Sequence, residues 1–297
     1  MLFGCISQPP QVAHLRTAGG RCPVQMIVGR PPTADSAHVR DVNGPAVLIT
    51  MPHSHYAEKA RWALDRLSIS YREEPHVPLL HRLATTRQGG GSVPVLVQGG
   101  RRFLNSTEIL RHADSSCGGD RLYPRDPDVR RAVEALEEQF DQELGPHTRR
   151  WAYFQLLPHR ALLYTLMARG VPRLEAGLLK ATLPIVALAI RKGLRITPDG
   201  AQRSILKLRG IFSEVDKLLA DGRQYLVDDR FTAADLTFAA LASPVLLPER
   251  GIAAYPAVDD LPGAMREAVE RLRDTKAGRF ALRMYAQERW CAGANAT

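Results

Sequence analysis

The chain is poor in cysteine. Its 297 residues hold four, Cys5, Cys22, Cys117 and Cys291, and no two of them stand at a metal-ligand or Cys-x-x-Cys spacing. A scaffold stapled by disulfides is therefore excluded, and free thiols in a reducing, cytoplasmic compartment are expected. Long apolar runs are also missing. The longest, from Ala181 to Ile190, contains Pro184 and stops at Arg191-Lys192, well short of the roughly 20 residues a membrane span needs. It is expected to be a buried or kinked helix. No Gly-x-Ser-x-Gly elbow accompanies Ser54, although His53 and His55 flank it, so a Ser–His hydrolase is disfavoured. His76, His81 and His112 share no ligand-like spacing with acids or cysteines, and no metal is expected. Acids are fewer than bases, 31 against 40, for a net charge of +9. The bases are interleaved with acids, as in Arg130-Arg131-Ala132-Val133-Glu134, so the surplus does not form the basic tract of a nucleic-acid partner.

What is present is a soluble globular profile, 45% hydrophobic and 24% charged, long enough to bury the cores of two ordinary domains. The stretch from Val47 to Asp114 organises it. Val47-Leu48-Ile49-Thr50 reads as a buried strand. After the loop Met51-Pro52-His53-Ser54, a helix is predicted with Ala60, Ala63, Leu64 and Leu67 on its buried face and Glu58, Lys59, Arg61, Asp65 and Arg66 filling the other positions. Val93-Pro94-Val95-Leu96-Val97 is a second strand, Gly99-Gly100 a hairpin turn, and Asn105-Ser106-Thr107-Glu108 a helix start.

Three of these segments, in this order and spacing, resemble the glutathione S-transferase superfamily. Ser54-His55-Tyr56-Ala57-Glu58-Lys59-Ala60-Arg61-Trp62-Ala63-Leu64 is similar to its first helix, with a serine at the nucleophile position. Ser92-Val93-Pro94-Val95-Leu96 resembles its cis-proline strand, and Asn105-Ser106-Thr107-Glu108-Ile109-Leu110 its helix start at the thiol-binding site. The resemblance implies an α/β thioredoxin-like domain followed by an all-α helical domain. It implies glutathione as cosubstrate, with Val93 and Pro94 holding the cysteinyl backbone, Asn105 and Ser106 the γ-glutamyl end, and Ser54 the thiolate.

The same residues have a reading of their own. A hydroxyl at a helix N-terminus lies among unpaired N–H groups and partial positive charge, where an anion is favoured. A thiol of pKa about 8.5 is mostly unreactive at neutral pH and is activated there. Ser54 and Ser106 fit plain N-caps as well, and Pro94 fits an ordinary trans proline at an edge strand. A cis bond at Val93-Pro94 would instead turn the Val93 backbone towards an extended ligand. Two departures from the family accompany the match: Ser92 stands where a Lys or Arg is frequent, and Asn105 where Glu, Gln or Asp is usual. With Ser54 and Ala57, a glutaredoxin-type dithiol is excluded.

Residues 1–44 carry Pro9-Pro10 and Pro31-Pro32 without periodicity and read as a disordered extension. The thioredoxin-like domain is expected over 45–117, a linker over 118–128 on the strength of Gly118-Gly119, Pro124 and Pro127, and the helical domain over 129–290. In that domain Val129, Val133, Leu136, Phe140 and Leu144 form one stripe, with Arg130, Glu134, Glu137 and Glu138 outside it. Ile205, Leu208, Phe212, Val215 and Leu219 form another. Phe231-Thr232-Ala233-Ala234-Asp235-Leu236 contains a Thr-x-x-Asp capping box, whose loss is expected to cost about 0.5–2 kcal/mol; Asp235 is therefore a folding residue.

The expected activity is transfer of glutathione to a hydrophobic electrophile, with Trp151, Tyr153 and Phe154, in the segment 147–190, walling the substrate pocket. The alternatives are a non-catalytic binding module on the same fold and the use of another low-molecular-weight thiol. The resemblance leaves room for a homodimer. No nucleic acid, membrane span or metal is expected.

Overall fold

The β-branched run at the head of the organising stretch forms the first strand, β1 (Ala46–Thr50), of a four-stranded sheet ordered β2-β1-β3-β4. The computed structural model describes residues 45–249, 251 and 255–290; the expectation for residues 1–44 lies outside them, as do Cys5, Cys22 and Cys291. β1 runs parallel to β2 (Tyr71–Pro75), with Leu48 opposite Glu73. It runs antiparallel to β3 (Val95–Gln98), with Leu48 opposite Leu96, and β3 turns at Gly99-Gly100 into β4 (Arg101–Phe103). A parallel pair needs a crossover, and α1 (His55–Arg66) supplies it. α2 (Leu80–Arg87) precedes β3 and α3 (Ser106–Ser116) follows β4. This is the α/β thioredoxin-like arrangement, and helices follow it to the end of the described residues.

Those helices are α4 (Pro127–Gln139), a five-residue π-helical turn (Phe140–Leu144), α5 (Gly145–Leu156), α6 (Arg160–Ala168), α7 (Arg173–Gly193), α8 (Pro198–Leu218), α9 (Ala233–Leu246), α10 (Gly263–Arg273) and α11 (Lys276–Gln287). α9 is the axis of the main core: every residue from Ala233 to Leu246 is buried. Its apolar all-round sequence is that of a helix surrounded on every side. Its entry is held by the expected capping box. The Asp235 carboxylate accepts from Thr232 N and Leu226 N, both at 2.7 Å, and from the Thr232 hydroxyl at 2.8 Å. The stripe of α8 also packs as expected, Ile205, Leu208, Phe212, Val215 and Leu219 all being buried.

The polar side of α1 is where expectation and structure part. Glu58, Lys59 and Arg61 are buried, because α1 packs on the sheet with Ala60 and Leu64 and on α9 with its other side. Their charges are compensated by partners far along the chain. Lys59 Nζ meets Glu137 at 2.8 Å and Asp141 at 2.7 Å; Arg61 meets Glu73 at 2.6 Å; Arg289 meets Glu58 at 2.8 Å and Asp65 at 2.9 Å. Glu137 is likewise buried rather than outward, and the Tyr123 hydroxyl donates to it at 2.8 Å. The stretch 118–128 is tied down: Leu122 and Tyr123 are fully buried, and Asp114 accepts from Arg121 N and Leu122 N. α7 departs in the opposite sense. Only Leu179, Leu183 and Val186 are buried, while Leu174, Leu178, Ile185 and Leu188 are exposed.

Candidate functional site

Ser54 is the N-cap of α1. Its extended backbone (φ −76°, ψ 116°) lets Oγ accept from Ala57 N at 3.2 Å. Because that bond uses an oxygen lone pair, the hydroxyl proton remains available to donate. The polar loop before it is short because Ser54 N closes a turn onto Met51 O at 3.1 Å. The Val93–Pro94 peptide is cis, and β3 begins only after it, at Val95. Asn105, not Ser106, caps α3. Its carboxamide oxygen accepts from Glu108 N at 2.9 Å, and its amide donates to Glu108 Oε1 at 2.8 Å. Ser106 is the first helical residue and is buried.

A single cavity of about 560 Å³ is lined by Ser54, Val93, Pro94, Asn105 and Ser106 together. Residues up to 52 positions apart in sequence thus face one space, because the end of β1, the start of β3 and the start of α3 lie at the same end of the sheet. Helical residues complete the wall. From α5 come Arg149, Ala152, Tyr153 and Leu156, one face of a helix at i, i+3, i+4 and i+7. Of the three aromatics expected there, Tyr153 lines the cavity. Trp151 is buried in the main core and Phe154 packs against that core; both lie on the other side of α5, and neither is in the cavity wall. Leu163, Leu166 and Met167 of α6, and Ala189, Ile190 and Gly193 of α7, continue an apolar surface.

The histidines around Ser54 serve the architecture. His53 Nε2 is 2.7 Å from the Tyr153 hydroxyl, and His55 Nε2 donates to Gly145 O at 3.1 Å. Burial, reinforced by Arg61 and His81, lowers His53 to about 4. Burial, then Arg149, lowers His55 to about 3. Both are neutral at pH 7, and each joins the loop at Ser54 to α5. Tyr56 makes a third tie, its hydroxyl donating to Asp141 O at 2.7 Å within the π-helical turn. Gly145 makes room for it: a Cβ there would stand 2.6 Å from Tyr56 Cζ.

Two cations stand on the cavity wall, Arg82 and Arg149. Arg149 lies in the segment 147–190 expected to wall the pocket, whereas Arg82 was not legible as a site residue, because α2 carries no motif and only tertiary packing brings it to the cavity. Among the described residues no group of three or more His, Cys, Asp or Glu could hold a metal ion.

Comparison with known proteins agrees with this fold. Residues 48–121 match the family model described as glutathione S-transferase, N-terminal domain. No curated protein sequence matches the chain. Among solved structures, the glutathione transferase GSTFuA3 from Phanerochaete chrysosporium superposes with a TM-score of 0.55 at 17% identity, covering 82% of this chain and 97% of its own. The β-etherase LigF from Sphingobium sp. strain SYK-6 superposes with a TM-score of 0.50 at 18% identity, covering 81% of this chain and 99% of its own. Likeness at this identity is a likeness of fold.

Proposed function

We propose that this chain, which belongs to the glutathione S-transferase superfamily by its N-terminal domain and its fold, transfers glutathione to a hydrophobic electrophile. The observation that carries this reading is the convergence of Ser54, the cis Val93–Pro94 peptide and Ser106 on one cavity whose remaining wall is largely apolar. A few polar groups set in a largely apolar wall suit a peptide thiol beside a greasy acceptor. In this reading the Ser54 hydroxyl and the first N–H groups of α1 hold the thiolate. The Val93 backbone pairs with the cysteinyl residue. The Ser106 hydroxyl and the start of α3 take the γ-glutamyl carboxylate, while Asn105, already engaged with Glu108, shapes that helix start. Arg82 or Arg149 supplies the cation that Ser92 does not.

The test is retention of the full chain on immobilised glutathione, followed by conjugation of a panel of apolar electrophiles. Retention with turnover supports the reading. Retention without turnover makes the protein a binding module, and stabilisation by a different small thiol alone replaces glutathione in the scheme. The variant Ser106→Ala is expected to raise KM for glutathione about tenfold, the loss of one hydrogen bond to a charged group, with kcat little changed.

A further inference from the structure

We infer that the outward face of α7 is a docking surface for an anionic lipid bilayer. Leu174, Leu178, Ala181, Ile185 and Leu188 recur at alternating steps of four and three residues, which places them in one row along the helix. All five are exposed, Leu174 by 86% and Ile185 by 66%. The opposite side of α7, at Leu179, Leu183 and Val186, packs with Leu163 and Met167 of α6. The row is therefore a second apolar face and not the edge of the core. A helix this apolar on its solvent side needs a partner.

Charge selects among the partners. Arg173, Lys180 and Arg191 are exposed and fall on one flank of the row, and Lys192 closes its end. The helix's one acid, Glu175, is turned away: it meets His76 Nδ1 at 2.7 Å and accepts from Val77 N at 3.0 Å. An apolar stripe bordered by lysine and arginine is the pattern of a helix lying in the interface of a negatively charged membrane. A second copy of the chain fits worse. Antiparallel pairing of α7 with itself would set Arg173 of one copy beside Arg191 and Lys192 of the other, like charge against like. No helix among the described residues is long and apolar enough to cross a membrane, so the attachment is peripheral. α7 also carries Ala189, Ile190 and Gly193 in the cavity wall. Docking by this face sets the cavity beside the lipid, where apolar compounds concentrate.

The test is flotation of the full chain with vesicles of phosphatidylcholine alone and of phosphatidylcholine mixed with phosphatidylglycerol. No thiol is present, so the outcome is separate from that of the transferase assay. Binding is expected to the mixed vesicles and to weaken with salt. Lys180→Glu and Arg191→Glu should each weaken it at least about fivefold. The double variant Leu178→Ser, Ile185→Ser should weaken it more than about tenfold. All four side chains are exposed, so the variants should keep the native melting temperature. Absence of binding by the native chain overturns the inference. So does equal binding to both vesicle types, equal binding by all variants, or a native dimer that the double variant converts to monomer without any vesicle binding.

Discussion

The hydroxyl of Tyr153 and Nε2 of His53 stand 2.7 Å apart, joining α5 to the loop that presents Ser54. The other imidazole nitrogen, Nδ1, is buried without a partner. A buried unpaired N–H is rarer than a buried unpaired acceptor, which assigns the proton to Nε2 and makes His53 the donor. Tyr153 then keeps its own proton to donate into the cavity. Burial raises its pKa, so it acts as a hydrogen-bond donor and not as a base.

Tyr153→Phe is accordingly expected to lower kcat about fivefold, the worth of one hydrogen bond, on electrophiles that develop negative charge on an oxygen. KM for glutathione should not change. An equal loss on electrophiles without such an oxygen would assign Tyr153 to packing alone.

Ser54→Ala removes both a cap and the proposed thiolate partner. The capping loss is expected to cost about 1 kcal/mol in stability, seen as a lower melting temperature. The bound thiol should titrate higher, towards the free value of about 8.5. The rate–pH profile then moves to the alkaline side, and turnover falls at pH 7 while recovering at higher pH. Unchanged turnover at pH 7 would remove Ser54 from the chemistry. Ser54→Cys should form mixed disulfides with glutathione, because a helix N-terminus lowers a thiol's pKa.

Lys59 has no exposure and is neutralised by Glu137 and Asp141. Removing one partner leaves a buried charge uncompensated, so Lys59→Met should cost about 3–5 kcal/mol. The double variant Lys59→Met, Glu137→Gln should recover part of the loss. Denaturant unfolding of Lys59→Met, Glu137→Gln and the double variant measures this, and additive losses would show that the charges do not act as a pair.

Three histidines set an acid limit. Burial lowers His53 and His81 to about 4 and His55 to about 3, from an ordinary 6.5. The unfolded chain takes up these protons at higher pH than the folded one, so stability rises with pH across this window. Their contribution is complete above pH 6.5 and is lost as pH falls from there towards 4 and below. His55→Gln should flatten the slope of stability against pH between 6.5 and 4. An unaltered slope would place the acid sensitivity elsewhere.

Much of the fold was legible in local pattern. β1, α1, the β3–β4 hairpin and the start of α3 follow from runs, periods and turn residues, and the Thr232–Asp235 box announces α9, because these signals act between neighbours in sequence. The cavity's motif residues were legible for the same reason. Which face of α5 meets the cavity was not. Trp151 and Tyr153 are two residues apart, and only the direction from which α5 approaches α1 decides that Tyr153 lines the cavity while Trp151 enters the core.

Short-range order determined two strands, a hairpin turn, the helix starts at Ser54 and Asn105 and a helical remainder, and the resemblance of those segments implied the α/β thioredoxin-like class. Tertiary structure alone decided the burial of charge. Glu58, Lys59 and Arg61 stand off the apolar stripe of α1 in the sequence, and hydrophobic periodicity reports polarity and not distance. Their partners, Arg289, Glu137 and Glu73, come from α4, β2 and a position 231 residues away. The same limit held in reverse for α7, where an apolar run implied burial. Packing on α6 covers one side of it, and the geometry of a helix leaves the other to the solvent.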